Sequence, residues 1–297
     1  MGNKILPFFG AACAIVTPFD CQGNVDYSAL ERIIEFQISR GSDGIVVLGT
    51  TGEASSLTAA ERSEVISFTV SHVRHRVPVI VGVGTNVTST TVNNCREACR
   101  LGADGLLVIT PYYSKASAEG LYLHFKAAAE SVDLPIILYT VPSRTGMGIP
   151  FEVYKRLAEV KNICAVKEAS GNIGNVLDIS ENFGDSLFVY SGNDDLTLPI
   201  IACGGVGVIS VASNIAPREM HELARAAVNG DFSVARKLQL KLNPLIRSLF
   251  SEVNPIPVKC ACSLLGLCRE TMRLPLCPLD EAKRDALENE MTKLDLF

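Results

Sequence analysis

The stretch Arg40-Gly-Ser-Asp-Gly-Ile-Val-Val47 recurs almost unchanged as Arg100-Leu-Gly-Ala-Asp-Gly-Leu-Leu-Val108. In both copies, a glycine of the kind that ends a helix comes shortly before an aliphatic run that begins a strand. A helix that leads directly into a strand is half of a βαβ unit, so the two copies indicate an internal repeat at that level. The repeat predicts a parallel sheet whose strands alternate with helices.

Eight apolar runs of this kind recur about every 20 to 30 residues, each followed by an amphipathic stretch, which is typical of βαβ units. Because the runs are apolar throughout, we expect both faces of the sheet to be covered. Eight units predict a (β/α)8 TIM barrel over residues 1–216, with residues 217–297 as a helical C-terminal region. The predicted strands are 11–16, 44–48, 77–82, 105–110, 135–139, 163–167, 186–190 and 207–211.

An open, doubly wound sheet is the alternative architecture. Its strongest signal is Gly82-Val-Gly84, which resembles the start of a dinucleotide-binding turn. Such a turn needs a third glycine, and Val87 stands at that position. The sequence therefore favours the barrel.

Helix signals agree with this alternation. Thr58-Ala-Ala-Glu61 has the pattern of a capping box and predicts a helix over 58–74. Gly41 and Gly102 are placed to end helices, and Pro150 suits a first helical turn.

Composition excludes several classes of protein. The 297 residues carry a formal net charge of −5, and the lysines are scattered, so nothing predicts a nucleic-acid surface. Most of the ten cysteines lie in apolar runs, which indicates buried, reduced thiols. The pairs Cys95/Cys99 and Cys260/Cys262 lack the spacing of a zinc site, so no metal is predicted.

The N-terminal apolar run is interrupted by Pro7, unlike the core of a signal peptide. No uninterrupted apolar stretch reaches the roughly 18 to 20 residues that a bilayer span requires. The sequence predicts a cytoplasmic protein without a membrane partner.

In a barrel of this kind, the chemistry lies where the strands end in the following loops. Lys167 ends an apolar strand, so its ammonium group is expected to lose much of its hydration. Burial favours the neutral amine, which can attack a carbonyl carbon and form a Schiff base. The alternative is an ion pair with Glu168 or another acid. The other ten lysines are predicted to be solvated.

Polar residues end the neighbouring strands as well. Tyr112, Tyr113 and Tyr139 can relay the protons that imine formation requires, although a buried tyrosine bonded to the backbone is the ordinary alternative. Thr50 and Thr51, between two glycines, can join that relay or bind a carboxylate, or form a simple turn.

Arg144 follows Pro142 in a loop and can bind a carboxylate through two parallel hydrogen bonds. A surface salt bridge is the alternative for this arginine. Glu53 is expected to be structural.

Together these motifs resemble the dihydrodipicolinate synthase family of pyruvate-dependent class I aldolases, a superfamily that also includes N-acetylneuraminate lyase. The resemblance runs in order along nearly the whole chain, as far as Asn254-Pro-Ile-Pro-Val-Lys259. It rests on Gly49-Thr-Thr-Gly-Glu53, Pro111-Tyr-Tyr113, Tyr139-Thr-Val-Pro-Ser-Arg-Thr-Gly146, Lys167-Glu-Ala-Ser-Gly171 and Gly207-Val-Ile-Ser210.

The resemblance implies a role for each residue. Lys167 would form the Schiff base with pyruvate, while Tyr139, Thr50 and Tyr113 relay protons. A neighbouring subunit would lend Tyr112 or Tyr113, and Tyr113 is the one expected in the relay. The remaining residues would bind substrate: the backbone around Thr50 and Thr51 holds the pyruvate carboxylate, Arg144 binds the second substrate, and Gly192, Ile209 and Tyr112 complete the site. No metal or organic cofactor is implied.

The implied reaction condenses pyruvate with L-aspartate 4-semialdehyde to 4-hydroxy-tetrahydrodipicolinate, in diaminopimelate and lysine biosynthesis. The alternatives are another pyruvate-dependent aldolase, such as N-acetylneuraminate lyase, or a keto-acid sensor without turnover. The resemblance also implies a homotetramer of two tight dimers. Ala59 and Thr90 stand where members inhibited by lysine carry histidine and glutamate, so lysine is expected to inhibit weakly or not at all.

Overall fold

Eight parallel strands close into a barrel in chain order, in a computed structural model that describes residues 4–297. Each strand lies within two residues of its predicted ends, and nearly every strand residue is buried, as apolar runs require. The prediction of a TIM barrel is confirmed. The strands are β1 (Gly10–Ala14), β2 (Gly44–Val47), β3 (Val79–Gly82), β4 (Gly105–Ile109), β5 (Ile136–Thr140), β6 (Ile163–Glu168), β7 (Phe188–Ser191) and β8 (Gly207–Ser210).

A ring of helices covers the outside of the barrel. The predicted capping box is present, because Thr58 Oγ1 accepts from the Glu61 N–H at 3.3 Å and a Glu61 oxygen accepts from the Thr58 N–H at 2.8 Å. Pro150 precedes its helix by one residue. The helices are α1 (Tyr27–Ser39), α2 (Ala59–Val73), α3 (Thr88–Arg100), α4 (Ala118–Glu130), α6 (Phe151–Leu157), α7 (Ile173–Phe183), α8 (Thr197–Ala202) and α9 (Pro217–Val228), with a short α5 (Pro142–Thr145) after β5.

The sequence repeat has a structural cause at the amino ends of the strands. Gly41 and Gly102 follow α1 and α3, and both have a φ of +89°, which glycine adopts without steric cost. Two residues later, Asp43 accepts a hydrogen bond from the Ala11 N–H of β1, and Asp104 accepts one from the Val79 N–H of β3. Both distances are 2.8 Å. The repeat therefore ends a helix and joins two strands in one short segment.

Side chains fill the barrel interior. Phe8 stacks on Tyr190 with ring centroids 4.4 Å apart, and the Tyr190 hydroxyl donates to the Phe8 carbonyl at 2.5 Å. Above this layer the interior is aliphatic, with Val46, Ile80 and Ile137 among its members. The packing closes the amino end and leaves Lys167 and Tyr139 near the carboxyl end.

The C-terminal region adds α10 (Phe232–Leu249), α11 (Ile256–Leu264) and α12 (Glu281–Lys293). Helix α9 packs against β1 and β8 and so completes the outer ring, while α10 packs against α8, α9 and α12. The division of the chain into residues 1–216 and 217–297 stays a prediction.

Six of the ten cysteines are buried, whereas Cys21, Cys99 and Cys277 are exposed and Cys203 is half-buried. Burial raises the pKa of the Cys164 thiol to about 12. Within residues 4–297, no helix has the length and hydropathy of a bilayer span.

Candidate active site

Strand register places Lys167 beside Tyr139. The two are pairing partners on β6 and β5, and both side chains point into the barrel. Lys167 is 6% exposed and Tyr139 7%. The Lys167 Nζ lies 4.5 Å from the centroid of the tyrosine ring, so the ring borders the amine and brings a phenol into the same mouth.

Among residues 4–297, no acid forms a salt bridge with this lysine, although burial raises the pKa of Asp194 and the nearby Lys167 opposes that rise. Within residues 4–297, Lys167 forms neither an ion pair nor a hydrogen bond through its side chain. Glu168 lies on the opposite face of the strand, where its carboxylate accepts from the Ser170 N–H at 2.5 Å. Burial raises the pKa of Glu168, although that hydrogen bond opposes the rise. The alternative of a Lys167–Glu168 ion pair is therefore wrong.

The loop that carries the two threonines depends on a close approach of backbones. A Cβ atom on Gly82 would lie 2.1 Å from the Leu48 carbonyl oxygen, and one on Gly84 would lie 2.5 Å from the Ile109 nitrogen. Both distances are below contact, so neither position accepts a side chain in this arrangement. The two glycines of Gly82-Val-Gly84 are therefore explained by the close packing of strand and loop backbones. No bound dinucleotide is needed to explain them.

Thr50 and Thr51 point in different directions. Thr50 lines the cavity described below. Thr51 is buried, and its Oγ1 accepts a hydrogen bond from Asn254 Nδ2 at 3.0 Å. Only Thr50 of the two thus offers its side chain to a ligand.

A cavity of about 470 Å³ opens above Tyr139 and extends outward beside α2 and α3. Four of the nine predicted site residues line it, namely Thr50, Tyr112, Tyr139 and Arg144. Its volume suits a small organic acid, and its polar groups are few and convergent, as expected for a small-molecule site. Arginine is the only charged residue type in its lining.

Arg144 reaches this cavity from the short helix α5. Its Nη2 donates to the Asn254 carbonyl at 3.1 Å, and within residues 4–297 it forms no salt bridge. The alternative of a surface salt bridge is therefore wrong for this arginine. Asn254 contacts both Thr51 and Arg144, so one residue after the barrel fixes two predicted substrate-binding residues.

Five of the nine predicted site residues are absent from the cavity wall: Lys167 and Thr51, described above, and Tyr113, Gly192 and Ile209. Tyr113 is 92% exposed and has a φ of +73°, an uncommon conformation for a tyrosine. Gly192 packs against the end of β6, where a Cβ atom would lie 2.6 Å from Ala169 Cβ. Ile209 is a buried member of the barrel interior. The substrate roles of these three residues stay predictions.

Sequence reasoning missed Arg62 and Lys259. Arg62 lines the cavity from α2 and donates to the Gly82 carbonyl at 2.9 Å, and burial lowers the pKa of its guanidinium. Lys259 is fully buried and pairs with Glu53, so the prediction that every other lysine is solvated is wrong. Asn254 and Lys259 bound the motif Asn254-Pro-Ile-Pro-Val-Lys259, which was the one signal available for them.

Comparison with known proteins assigns the chain to a family. The sequence profile described as "Dihydrodipicolinate synthetase family" matches residues 7–294. The chain belongs to this family. The 4-hydroxy-tetrahydrodipicolinate synthase of Alkaliphilus oremlandii is 47% identical over 98% of this chain and 100% of its own length, and that of Methanosarcina mazei is 49% identical over 98% and 99%.

A solved member of the family has the same fold. It is the chloride-inhibited dihydrodipicolinate synthase from Acinetobacter baumannii, in a complex with pyruvate. Its TM-score is 0.95 at 41% identity, and the match covers 97% of this chain and 99% of that one. The predicted resemblance is confirmed.

Proposed function

We propose that this chain is a lyase that condenses pyruvate with L-aspartate 4-semialdehyde to 4-hydroxy-tetrahydrodipicolinate, a step of lysine biosynthesis. The observation that carries the proposal is the position of Lys167, which is buried at the carboxyl end of the barrel, borders the ring of the cavity-lining Tyr139 and forms no salt bridge within residues 4–297. A buried lysine amine that no salt bridge or hydrogen bond holds in place can reach a carbonyl carbon and form a covalent bond with it. The relatives' names and the pyruvate complex of one of them support the same assignment.

The reaction follows from this arrangement. Lys167 Nζ adds to C2 of pyruvate, and water leaves to give a protonated imine. Loss of a proton from the methyl group gives an enamine, whose carbon attacks the aldehyde of the second substrate. The amine of that substrate then attacks C2, which closes the ring and releases Lys167. Tyr139 and Thr50 are close enough to the cavity to relay these protons.

Two carboxylates need recognition, and we assign one group of donors to each. The backbone N–H groups around Thr50 and Thr51 bind the pyruvate carboxylate above Lys167. Arg144 binds the carboxylate of the aldehyde at the outer part of the cavity. Gly192, Ile209 and Tyr112 border the substrates.

Tyr113 completes the relay from a second copy of the chain in this proposal. Its side chain is 92% exposed, and its left-handed backbone directs it away from its own cavity. A homotetramer of two tight dimers in the cytoplasm accommodates this exchange. Sedimentation at assay concentration measures the state, and a fully active monomer would contradict the shared tyrosine.

Borohydride reduction in the presence of pyruvate tests the function. Reduction traps the imine as a stable adduct, and mass spectrometry locates the added mass at Lys167. Comparison of aspartate semialdehyde with N-acetylneuraminate in coupled assays then identifies the substrate. Binding of pyruvate without an adduct would instead indicate a sensor.

A further inference from the structure

A buried ion pair joins the C-terminal region to the loop of the two threonines. Lys259 Nζ on α11 lies 2.5 Å from a carboxylate oxygen of Glu53, and the two side chains are 0% and 2% exposed. The same ammonium group donates to the Thr271 carbonyl at 2.8 Å and lies 4.0 Å from the centroid of the Phe19 ring. The cation thus contacts three separate parts of the chain.

Glu53 is the last residue of the loop that begins at Gly49. Its φ of +51° is left-handed, which costs free energy for a residue with a side chain. Its backbone N–H donates to the Thr50 carbonyl at 3.1 Å. The position of the glutamate is therefore coupled directly to that of Thr50.

Neither partner of this pair reaches the substrate cavity, since Glu53 and Lys259 are both absent from its lining. Burial of two opposite charges contributes little net stability, because their desolvation offsets their attraction. A charge pair does, however, fix the relative position of the two segments that carry it. Because the pair lies behind the loop, its main effect is to fix the conformation of the loop.

Two further residues, Asn254 and Arg273, connect the same regions. Asn254 donates to Thr51, and Arg273 donates to the Ser56 carbonyl at 2.8 Å and pairs with Glu61. Together with the Lys259 pair, they hold the β2–α2 connection at several points. Lys259 is the most deeply buried of these three groups.

We propose that Lys259 and Glu53 are positioning residues for the pyruvate site: their ion pair holds residues 49–53 in the conformation that presents Thr50 and its backbone to the pyruvate carboxylate. This inference rests on the proposed function. It predicts that loss of the pair weakens pyruvate binding more than it slows turnover at saturation, because the nucleophile Lys167 lies on another strand.

The test compares Lys259→Met, Glu53→Gln and the double variant with wild type. Each single variant leaves one polar or charged partner buried alone, and its thermal midpoint falls. The double variant removes both charges and regains much of that loss. Its KM for pyruvate nevertheless stays raised by about tenfold or more, since small displacements of binding groups have large kinetic effects. A merely structural role would restore stability and KM together.

Lys283→Met is the matched control. Lys283 also forms an ion pair in the C-terminal region, at 2.6 Å to Glu252, but its side chain is 36% exposed. Its loss leaves the pyruvate KM unchanged. A rise equal to that of Lys259→Met would overturn the proposal.

Hydrogen exchange supplies a readout independent of activity. In the double variant, the amides of residues 49–53 exchange at least about tenfold faster, while those of β6 exchange as in wild type. Unchanged exchange in the loop overturns the positioning role. Failure of wild type to form a borohydride adduct with pyruvate would refute the proposed function instead, and the exchange measurement would still decide the role of the pair.

Discussion

Lys167 at the barrel mouth and Lys259 behind it are both buried lysines beside an aromatic ring. The ring centroids lie 4.5 Å and 4.0 Å from the two ammonium nitrogens. Lys259 also contacts a carboxylate and a carbonyl, whereas Lys167 contacts neither within residues 4–297. Burial lowers the pKa of Lys259, and Glu53 opposes that change by stabilising the charge.

The difference separates two uses of a buried amine. A lysine with an acid partner keeps its charge and its position, so it joins segments of the chain. A lysine without one remains free to form a covalent bond with a substrate. Burial alone does not distinguish the two, and the partner is the deciding observation.

Lys167→Ala gives the largest expected effect and tests whether the lysine without a salt bridge is the covalent nucleophile. We expect turnover to fall by about 10⁴-fold or more, since the covalent nucleophile is lost. The thermal midpoint should change much less than turnover, because Lys167 forms no salt bridge or hydrogen bond within residues 4–297. Steady-state assays and thermal unfolding measure the two quantities. Wild-type turnover in this variant would refute the Schiff-base mechanism.

Tyr139→Phe keeps the ring beside Lys167 and removes the hydroxyl. We expect kcat to fall by about 10²- to 10³-fold, the usual contribution of a positioned proton-transfer group. Borohydride trapping should become slower without being abolished. Tyr154→Phe, at a buried tyrosine outside the cavity, is the control. Equal losses in both variants would argue against a relay.

Asn254→Ala tests a second residue that, like Lys259, connects the C-terminal region to the loop of the two threonines. Asn254 does so by donating a hydrogen bond to Thr51. The variant leaves Thr51 Oγ1 without its donor, which costs about 1–3 kcal/mol of unfolding free energy. We expect a several-fold higher pyruvate KM with a smaller change in kcat. The Arg144 contact is to the Asn254 carbonyl and survives the substitution. An unchanged KM for pyruvate would show that the loop keeps its conformation without the Asn254–Thr51 hydrogen bond.

Arg273→Gln examines a more exposed ion pair of the same region. The Arg273 hydrogen bond lowers the pKa of Glu61 from 4.5 to about 2. Because the folded value is the lower one, this contribution is complete above pH 4.5 and is lost as the pH falls towards 2. Partial exposure limits it to about 1 kcal/mol or less. Urea unfolding should show the wild-type advantage shrinking across that range, and a constant difference would contradict the assignment.

Added lysine is expected to have the smallest effect. Ala59 and Thr90 line the outer part of the cavity with Arg62, and no carboxylate is present in the lining to pair with an ammonium group. Turnover should therefore change less than about twofold at millimolar lysine. Half-inhibition at micromolar lysine would contradict this expectation.

Local patterns were sufficient to predict the barrel and part of the site. Apolar runs identified all eight strands, and the strand ends supplied Lys167, Tyr139, Thr50 and Arg144. The last three line the cavity, and Lys167 borders Tyr139. These predictions succeeded because each depends on a short segment and on the geometry common to parallel barrels.

The supporting contacts were beyond such reasoning. Asn254 and Thr51 are 203 residues apart, and the Lys259–Glu53 pair is similarly distant along the chain. The motif that ends at Lys259 marks the residue, but it does not show that the lysine is buried or that its partner is Glu53. Partners of this kind depend on how α11 packs against the β2 loop, which no local periodicity specifies.

The bond between Thr51 and Asn254 also has a consequence for synthesis. The ribosome makes the threonine long before the asparagine, so a growing chain can form its early strands while the pyruvate loop still lacks its support. Catalytic competence should therefore arise only after residue 254 has emerged.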